Sequence, residues 1–170
     1  MTKKSRPAAG TAAESALRLT RVFDAPRELV FRAWSDPEHL ARWWGPNGFT
    51  TPHCTIDFRV GGKWHFCMRS PEGQDYWCTG VYQEISEPDR IVTTDCFADA
   101  DGNVVDPSEY GMSPDMPAET IITVTLEETE GGKTLLTLHH TIPAAEAKRS
   151  GAEEGWSQSL DRLADHLAEA

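Results

Sequence analysis

Apolar positions in the last part of the chain repeat with the period of an α-helix. From 144 to 170, large apolar side chains recur every three or four residues and charged side chains fill the positions between them. This pattern predicts a long amphipathic helix with one apolar stripe. The stripe consists of Trp156, Leu160, Leu163 and Leu167. Such a helix is stabilised mainly by packing its stripe on another element, which must come from the preceding part of the chain.

Small residues occupy the same face in the first half of this predicted helix. They are Ala147, Gly151, Ala152 and Gly155. Small side chains permit either a close approach of the helix backbone to its neighbour or an empty space beside it. We expect a space there, because the facing strands carry large side chains. Its mouth is expected near Trp44 and the glycine-proline loop that follows.

Alternating apolar and polar side chains predict β-strands over most of residues 15–141. The expected strands are Ser15–Phe23, 54–60, 63–69, 75–85, 90–97, 120–128 and 134–141. Turns with glycine or proline join the later strands, which indicates antiparallel hairpins. No strand–helix–strand repeat is present, so a parallel sheet is not indicated.

Two short helices are predicted between the first and second strands. Pro26 suits the first position of one helix, and Leu29, Val30, Ala33 and Trp34 follow it with helical spacing. Asp36 is expected to cap the second helix, whose first residue would be Pro37.

The turn after the second strand decides which side chains face the core. A two-residue loop would place His65 and Cys67 on the core face, whereas a three-residue loop ending at Gly62 would place Trp64 there, opposite Phe58. Burying tryptophan and phenylalanine contributes more free energy than burying histidine and cysteine. We therefore predict the three-residue loop.

Length and charge indicate one acidic domain. The chain has 170 residues and a formal net charge of −11, which argues against binding nucleic acid or inserting into an anionic membrane. No apolar run approaches the roughly 20 residues of a membrane-spanning helix. Residues 1–13 lack the apolar segment of a signal peptide and are expected to be a disordered tail, with a single domain over 14–170.

The four cysteines predict neither a zinc site nor disulfides. Cys54, Cys67, Cys78 and Cys96 contain no C-x-x-C pair and fall within strand-like segments. We expect buried, reduced thiols and a cytoplasmic location.

Motifs for known chemistry are largely absent. The sequence has no G-x-S-x-G, P-loop, dinucleotide-binding or H-E-x-x-H motif, and no metal or cofactor is predicted. The Asp99–Asn103 segment has carboxylates at calcium-loop spacing, but its glycine stands fourth and Tyr110 occupies the twelfth position. We expect the Asp99–Ala118 loop to be a mobile flap that does not bind calcium.

Five stretches of the sequence resemble a known superfamily. They are DAPRELVFRAWSDPEHLARWWGP (24–46), DFRVGGKWHF (57–66), GVYQEISEPDRIV (80–92), the DADGNVV…YGM loop (99–112) and GWSQSLDRLADHL (155–167). On these residues the chain resembles the START-like superfamily, also called the SRPBCC or birch-pollen-allergen fold. More narrowly, it resembles single-domain bacterial proteins similar to the C-terminal domain of heat-shock-protein-90 ATPase activators.

The resemblance implies an α+β helix-grip fold. In this fold a curved antiparallel sheet of about six or seven strands wraps around a long C-terminal helix, with two short helices between strands 1 and 2. The superfamily often holds a hydrophobic small molecule in the cavity between sheet and helix. For this chain the expected cavity residues are Trp34, Trp44, Phe58, Trp64, Phe66, His140, Gly151, Gly155 and Trp156.

The alternation places His139 and His140 on opposite faces of the last strand, so one faces inward, and the sequence leaves open which.

Three functions are compatible with these features. The first is binding of a hydrophobic small molecule by a monomer or homodimer. The second is a cyclase or hydratase that uses an inward polar residue as its base. The third is a protein-interaction module with a chaperone contact. A dry apolar cavity would favour the first, two inward polar residues the second, and a large exposed apolar patch the third.

Overall fold

The computed structural model describes residues 16–169 and has one seven-stranded antiparallel sheet, in the order β1-β7-β6-β5-β4-β3-β2. The strands are β1 (Ala16–Phe23), β2 (Thr50–Ile56), β3 (Lys63–Arg69), β4 (Asp75–Ser86), β5 (Arg90–Ala98), β6 (Glu119–Thr129) and β7 (Lys133–Pro143). Consecutive hairpins build β2 to β7, and β1 pairs beside β7 at the far edge. The expected tail, 1–13, lies outside the described residues.

Four helices accompany the strands in the described part of the chain. They are α1 (Arg27–Ser35), α2 (Pro37–Trp43), α3 (Ala144–Ser150) and α4 (Ala152–Glu169). Short 3-10 turns occur at Pro107–Tyr110 and Glu130–Gly132. The predicted α+β architecture, with a curved sheet held against a C-terminal helix, is confirmed. Within 16–169 no helix is long and apolar enough to cross a bilayer.

Helices α1 and α2 carry the chain from one edge of the sheet to the other. Asp36 caps α2 as predicted, because its carboxylate accepts a hydrogen bond of 2.9 Å from the Glu38 amide. Pro26 precedes the first turn of α1 instead of occupying its first position. Trp43 is fully buried and donates its indole N–H to the Ala33 carbonyl at 3.0 Å, which fixes the two helices against each other.

The C-terminal segment forms two helices, so the prediction of one continuous helix over 144–170 is wrong. Gly151 separates them with a φ of +85°, a conformation that glycine adopts without a steric penalty. Gly151 is therefore exposed as the end of α3 and does not occupy an inward helical position. The helix α4 that follows has the predicted apolar stripe, and its four members, Trp156, Leu160, Leu163 and Leu167, are all buried.

The β2–β3 connection differs from the predicted three-residue loop. Ile56 lies opposite Trp64, and six residues, 57–62, connect the strands. The loop is longer because it pairs with β4: the Gly61 amide donates to the Tyr82 carbonyl, and the Tyr82 amide donates to the Gly62 carbonyl. The register differs by two residues, which keeps Trp64 and Phe66 on the core face as predicted.

A histidine pair joins α2 to α4. His39 Nδ1 and His166 Nε2 are 3.0 Å apart, which requires one nitrogen to donate and the other to accept. Burial, followed by the proximity of His39 and Arg42, lowers the pKa of His166. The neutral form of His166 is therefore favoured in the folded protein.

Acidification is expected to weaken this helix contact. Because the folded pKa of His166 lies below its unfolded value, the stabilisation is complete above about pH 6.5 and is lost as the pH falls through the folded pKa. In urea unfolding at several pH values, the His166→Gln variant should lose less stability on acidification than the wild type. His139→Gln, on the outer sheet face, is the matched control. Equal pH dependence of the wild type and His166→Gln would contradict this role.

Candidate functional site

A cavity of about 360 Å³ lies between the inner face of the sheet and the C-terminal helices and is partly open to solvent. Four parts of the chain surround it. The loop after α2 contributes residues 44–49, the long loop after β5 contributes residues 112–117, and the junction of α3 and α4 contributes residues 150–159. Strands β3 to β7 form the floor. The cavity therefore depends on the break at Gly151, which turns the chain at its rim.

Apolar side chains make up most of the cavity wall. The aromatic members are Trp44, Phe49, Tyr76, Phe97 and Trp156, and the methionines are Met68, Met112 and Met116. Methionine has a flexible and polarizable side chain that adapts to irregular ligand shapes. Such a wall can bury an apolar molecule without a fixed outline.

Three polar side chains interrupt the apolar floor at one place. Asp95 on β5 is directly opposite Thr120 on β6, and His140 on β7 follows on the next strand. His140 Nε2 lies 2.8 Å from Thr120 Oγ1 and 3.3 Å from Asp95 Oδ2. These groups form a polar row across three neighbouring strands of the floor.

The surroundings of His140 fix its tautomer. The indole N–H of Trp156 can only donate, and it lies 3.0 Å from His140 Nδ1, so Nδ1 is the acceptor. Nε2 therefore carries the hydrogen and points to Thr120 and Asp95. Of the two candidate histidines, His140 is the inward one, with 4% exposure, and both of its nitrogens are engaged.

Asp95 is the functional candidate that the sequence reasoning missed. Its side chain is 24% exposed and lines the cavity. Among the lysine, arginine and histidine nitrogens of the described residues, His140 Nε2 is the one within 4 Å of its carboxylate. A carboxylate offers about four acceptor positions, so most of its capacity is unused. The sequence pattern that indicates an inward Asp95 is the alternation along β5, in which Asp95 shares a face with Ile91 and Phe97.

The cavity thiols remain protonated at neutral pH. Burial, followed by the nearby Asp95 carboxylate, raises the pKa of Cys78 well above its usual value. Burial and then Glu119 raise the pKa of Cys96 to about 11. A nucleophilic thiolate is therefore disfavoured at both cysteines that line the cavity.

The structure divides the expected cavity residues into three groups. Those that line the large cavity are Trp44, His140, Gly151, Gly155 and Trp156. Trp34, Trp64 and Phe66 line a second, small cavity of about 30 Å³, together with Trp44. Phe58 lines neither of these cavities; its ring packs edge-on against Phe31 and Tyr82.

On the sheet side, the cavity is therefore lined by Met68, Tyr76 and Phe97. The expected residues Phe58, Trp64 and Phe66 do not line it. The cause is an aromatic cluster that fills the space in front of Trp64 and Phe66. Trp44 packs edge-on against Phe66 at 5.2 Å between ring centroids, and Trp34 stacks on Trp156 at 6.0 Å. The indole N–H groups of Trp34 and Trp44 are buried without a hydrogen-bond partner in the described residues.

The long loop after β5 is attached to the sheet and covers the cavity. Tyr110 donates its hydroxyl hydrogen to the Ala98 carbonyl at 2.5 Å, and Ser113 donates to the buried carboxylate of Glu146 on α3 at 3.1 Å. The Asp99 carboxylate accepts from the amides of Asp101 and Asn103 within the loop itself. That this loop is mobile and that it does not bind calcium both remain predictions. Within 16–169 no cluster of three or more metal-ligating side chains is present.

Arg162 of α4 fixes the cavity mouth. Its guanidinium donates to the carbonyls of Trp44, Gly45 and Pro46 at 3.3, 2.8 and 2.9 Å. Burial lowers the pKa of this side chain. The expected mouth next to Trp44 is thereby attached to the same helix that lines the cavity.

Comparisons with known proteins place this geometry in context. The model of a family described as activator of Hsp90 ATPase homolog 1-like proteins matches residues 24–168. A search of curated proteins found no match. A crystal structure of a protein from Chromobacterium violaceum is 34% identical, with a TM-score of 0.70, and covers 91% of this chain and 97% of that one. A solution structure of a protein from Arthrobacter aurescens is 28% identical, with a TM-score of 0.77, and covers 94% of this chain and 89% of that one.

Proposed function

The chain belongs to the family of the activator of Hsp90 ATPase homolog 1-like proteins, and on that premise we propose that it binds a hydrophobic small molecule in the large cavity. The observation that carries this proposal is the cavity itself. Its volume of about 360 Å³ lies within the range of roughly 300–1,000 Å³ that small-molecule sites occupy. Its walls are mainly aromatic and methionine side chains with a few polar groups in one place, which is the usual composition of such sites.

An enzyme of the cyclase or hydratase kind receives less support from the same geometry. A general base needs a free lone pair within reach of the substrate. His140 Nδ1 already accepts from Trp156, and its Nε2 carries the hydrogen. Asp95 does keep free lone pairs and, with His140, gives the two inward polar residues expected of an enzyme, but the rest of the wall is mainly apolar, which favours binding.

A protein-interaction module also receives less support. The large apolar side chains exposed within 16–169 are four valines, Val22, Val60, Val81 and Val104. Protein interfaces are enriched in aromatic side chains and methionine, which here face the cavity.

We propose that the protein works in a reducing, cytoplasmic compartment. All four cysteines, Cys54, Cys67, Cys78 and Cys96, are free thiols. Free thiols in this number are typical of compartments in which disulfides do not persist.

Enlarging Gly155 is expected to reduce ligand binding while the fold is retained. A Cβ atom at Gly155 would meet Pro46 Cγ at 3.4 Å, an ordinary contact, at the cavity mouth. A leucine there should lower the affinity for an apolar fluorescent probe about tenfold, or ~1.4 kcal/mol. Stability should be unchanged or higher, because glycine is a poor helix former. Probe titration and urea unfolding measure the two quantities.

Ala168→Leu is the matched control for this variant. Ala168 is exposed on the same helix, away from the cavity, so an added leucine should leave probe affinity unchanged. A loss of stability above about 3 kcal/mol in Gly155→Leu would indicate close packing in place of space. Unchanged probe affinity in Gly155→Leu would contradict binding at this cavity.

A further inference from the structure

The cavity lining has one acidic side chain and no lysine or arginine among the described residues. Asp95 is the one acidic side chain among the lining residues, and neither the protonated thiols nor His140, which accepts at Nδ1, adds a positive charge. The chain as a whole has a net charge of −11. The one acidic group at the polar end of the cavity is therefore that of Asp95, with no lysine or arginine in the described lining to pair with it.

The Asp95 carboxylate is incompletely paired. In the described residues no lysine or arginine nitrogen lies within 4 Å of it, and its contact with His140 Nε2 is 3.3 Å long. That same nitrogen has a shorter contact, 2.8 Å, with Thr120 Oγ1. The Asp95 side chain is 24% exposed, and a partly buried carboxylate is stabilised by a donor or a cation that pairs with it. His140 supplies little compensation, because a full positive charge on its ring would remove the hydrogen bond from Trp156.

We infer that the ligand is a cationic amphiphile, with a protonated amine that pairs with Asp95 and an apolar body that lies among the methionine and aromatic side chains of the cavity. This inference rests on the proposed function. An ammonium group would compensate the carboxylate directly and would add up to three donors. The aromatic rings of Tyr76, Phe97 and Trp156 line the same cavity, and aromatic faces attract cations.

An anionic amphiphile is disfavoured by the same features. A fatty-acid carboxylate would face Asp95 without a lysine, arginine or free histidine nitrogen to neutralise it. A neutral alcohol could donate one hydrogen bond to Asp95 but would leave its charge uncompensated. The expected order of affinity is therefore amine, then alcohol, then carboxylate.

Three probes with the same alkyl chain test this order: decylamine, decanol and decanoate, each below its aggregation concentration. Displacement of an apolar fluorescent dye from the full chain measures their affinities. We expect decylamine to bind about tenfold more tightly than decanol, and decanoate to bind most weakly. Gly155→Leu should weaken all three, which assigns the binding to the cavity and not to the acidic surface.

Removing the charge of Asp95 should abolish the preference. Asp95→Asn keeps the shape of the side chain and should bring the amine and the alcohol to nearly equal affinity. Glu127→Gln is the matched control, because it removes an exposed carboxylate on β6 away from the cavity and should leave the order unchanged.

The wild-type protein provides a test that is independent of variant folding. A pairing inside the cavity is screened weakly by salt, whereas surface attraction is screened strongly. The amine preference should therefore persist at high salt. Three results would contradict the inferred amine while leaving the cavity a binding site. Decanol could bind as tightly as decylamine, the preference for decylamine could vanish at high salt, or that preference could persist in Asp95→Asn. If none of the three probes binds, the proposed function itself is contradicted.

Discussion

Replacing Leu163 with alanine is expected to destabilise the protein by about 2–5 kcal/mol. Leu163 is fully buried in the middle of the α4 stripe, so its loss removes apolar contacts and leaves a cavity that rigid neighbours fill incompletely. The free energy of unfolding in urea measures the effect.

Asp165→Ala on the exposed face of α4 is the matched control for this substitution. It should change stability by no more than about 0.5 kcal/mol. A loss below about 1 kcal/mol for Leu163→Ala would mean that the sheet does not hold the helix, and the basis for an enclosed cavity would be lost.

Replacing Gly80 with alanine is expected to destabilise the protein by about 1–3 kcal/mol or more. Gly80 lies on β4 opposite Trp64, whose indole crosses directly over it. A Cβ atom would lie 2.6 Å from two atoms of the Trp64 ring and would overlap the Thr94 carbonyl oxygen. The ring cannot move away freely, because its N–H donates to Thr93 Oγ1 at 2.7 Å.

Gly155→Ala is the matched control for Gly80→Ala, since it adds the same methyl group where only Pro46 lies nearby. It should be neutral or stabilising by up to about 1 kcal/mol, because alanine is the better helix former. Equal stability of Gly80→Ala and the wild type would show that Trp64 is not held as described. The altered near-ultraviolet circular dichroism expected for a displaced indole is a second readout.

Local patterns were sufficient to predict the elements of this fold. The stripe of α4 and the alternation of the strands each require only a regular period and a buried face. The cap at Asp36 requires only a carboxylate before the first turn, and it is present in the structure. These features depend on neighbours in sequence, so the sequence determines them directly.

Features that depend on contacts between distant residues were predicted less well. The β2–β3 loop is longer than predicted because its residues pair with Tyr82 on another strand. Gly151 was interpreted as a small inward residue, but its freedom of φ ends α3. The first outcome depends on pairing with a distant strand, and the second on which of two roles a glycine takes in a helix; the local pattern decides neither.

The sequence indicated where the candidate site lies better than it indicated which side chains line it. The expected mouth at Trp44 and the rim at Gly155 line the cavity, but the Trp44 indole covers Phe66, and Trp64 packs against Phe66 outside the cavity. Asp95 was missed because a single acidic residue in a strand is usually solvent-exposed. Its inward orientation follows from the register of β5 with β6, in which it pairs with Thr120.

Native mass spectrometry of the protein purified from its own host tests directly whether the cavity holds a small molecule. The wild-type chain is expected to retain a small molecule that is released on denaturation. The same molecule should be absent or strongly reduced in Gly155→Leu prepared in the same way. The mass and charge of the released molecule would also identify the head group that faces Asp95. A wild-type chain that carries no ligand and that binds no apolar probe in solution would contradict the proposed binding of a small molecule.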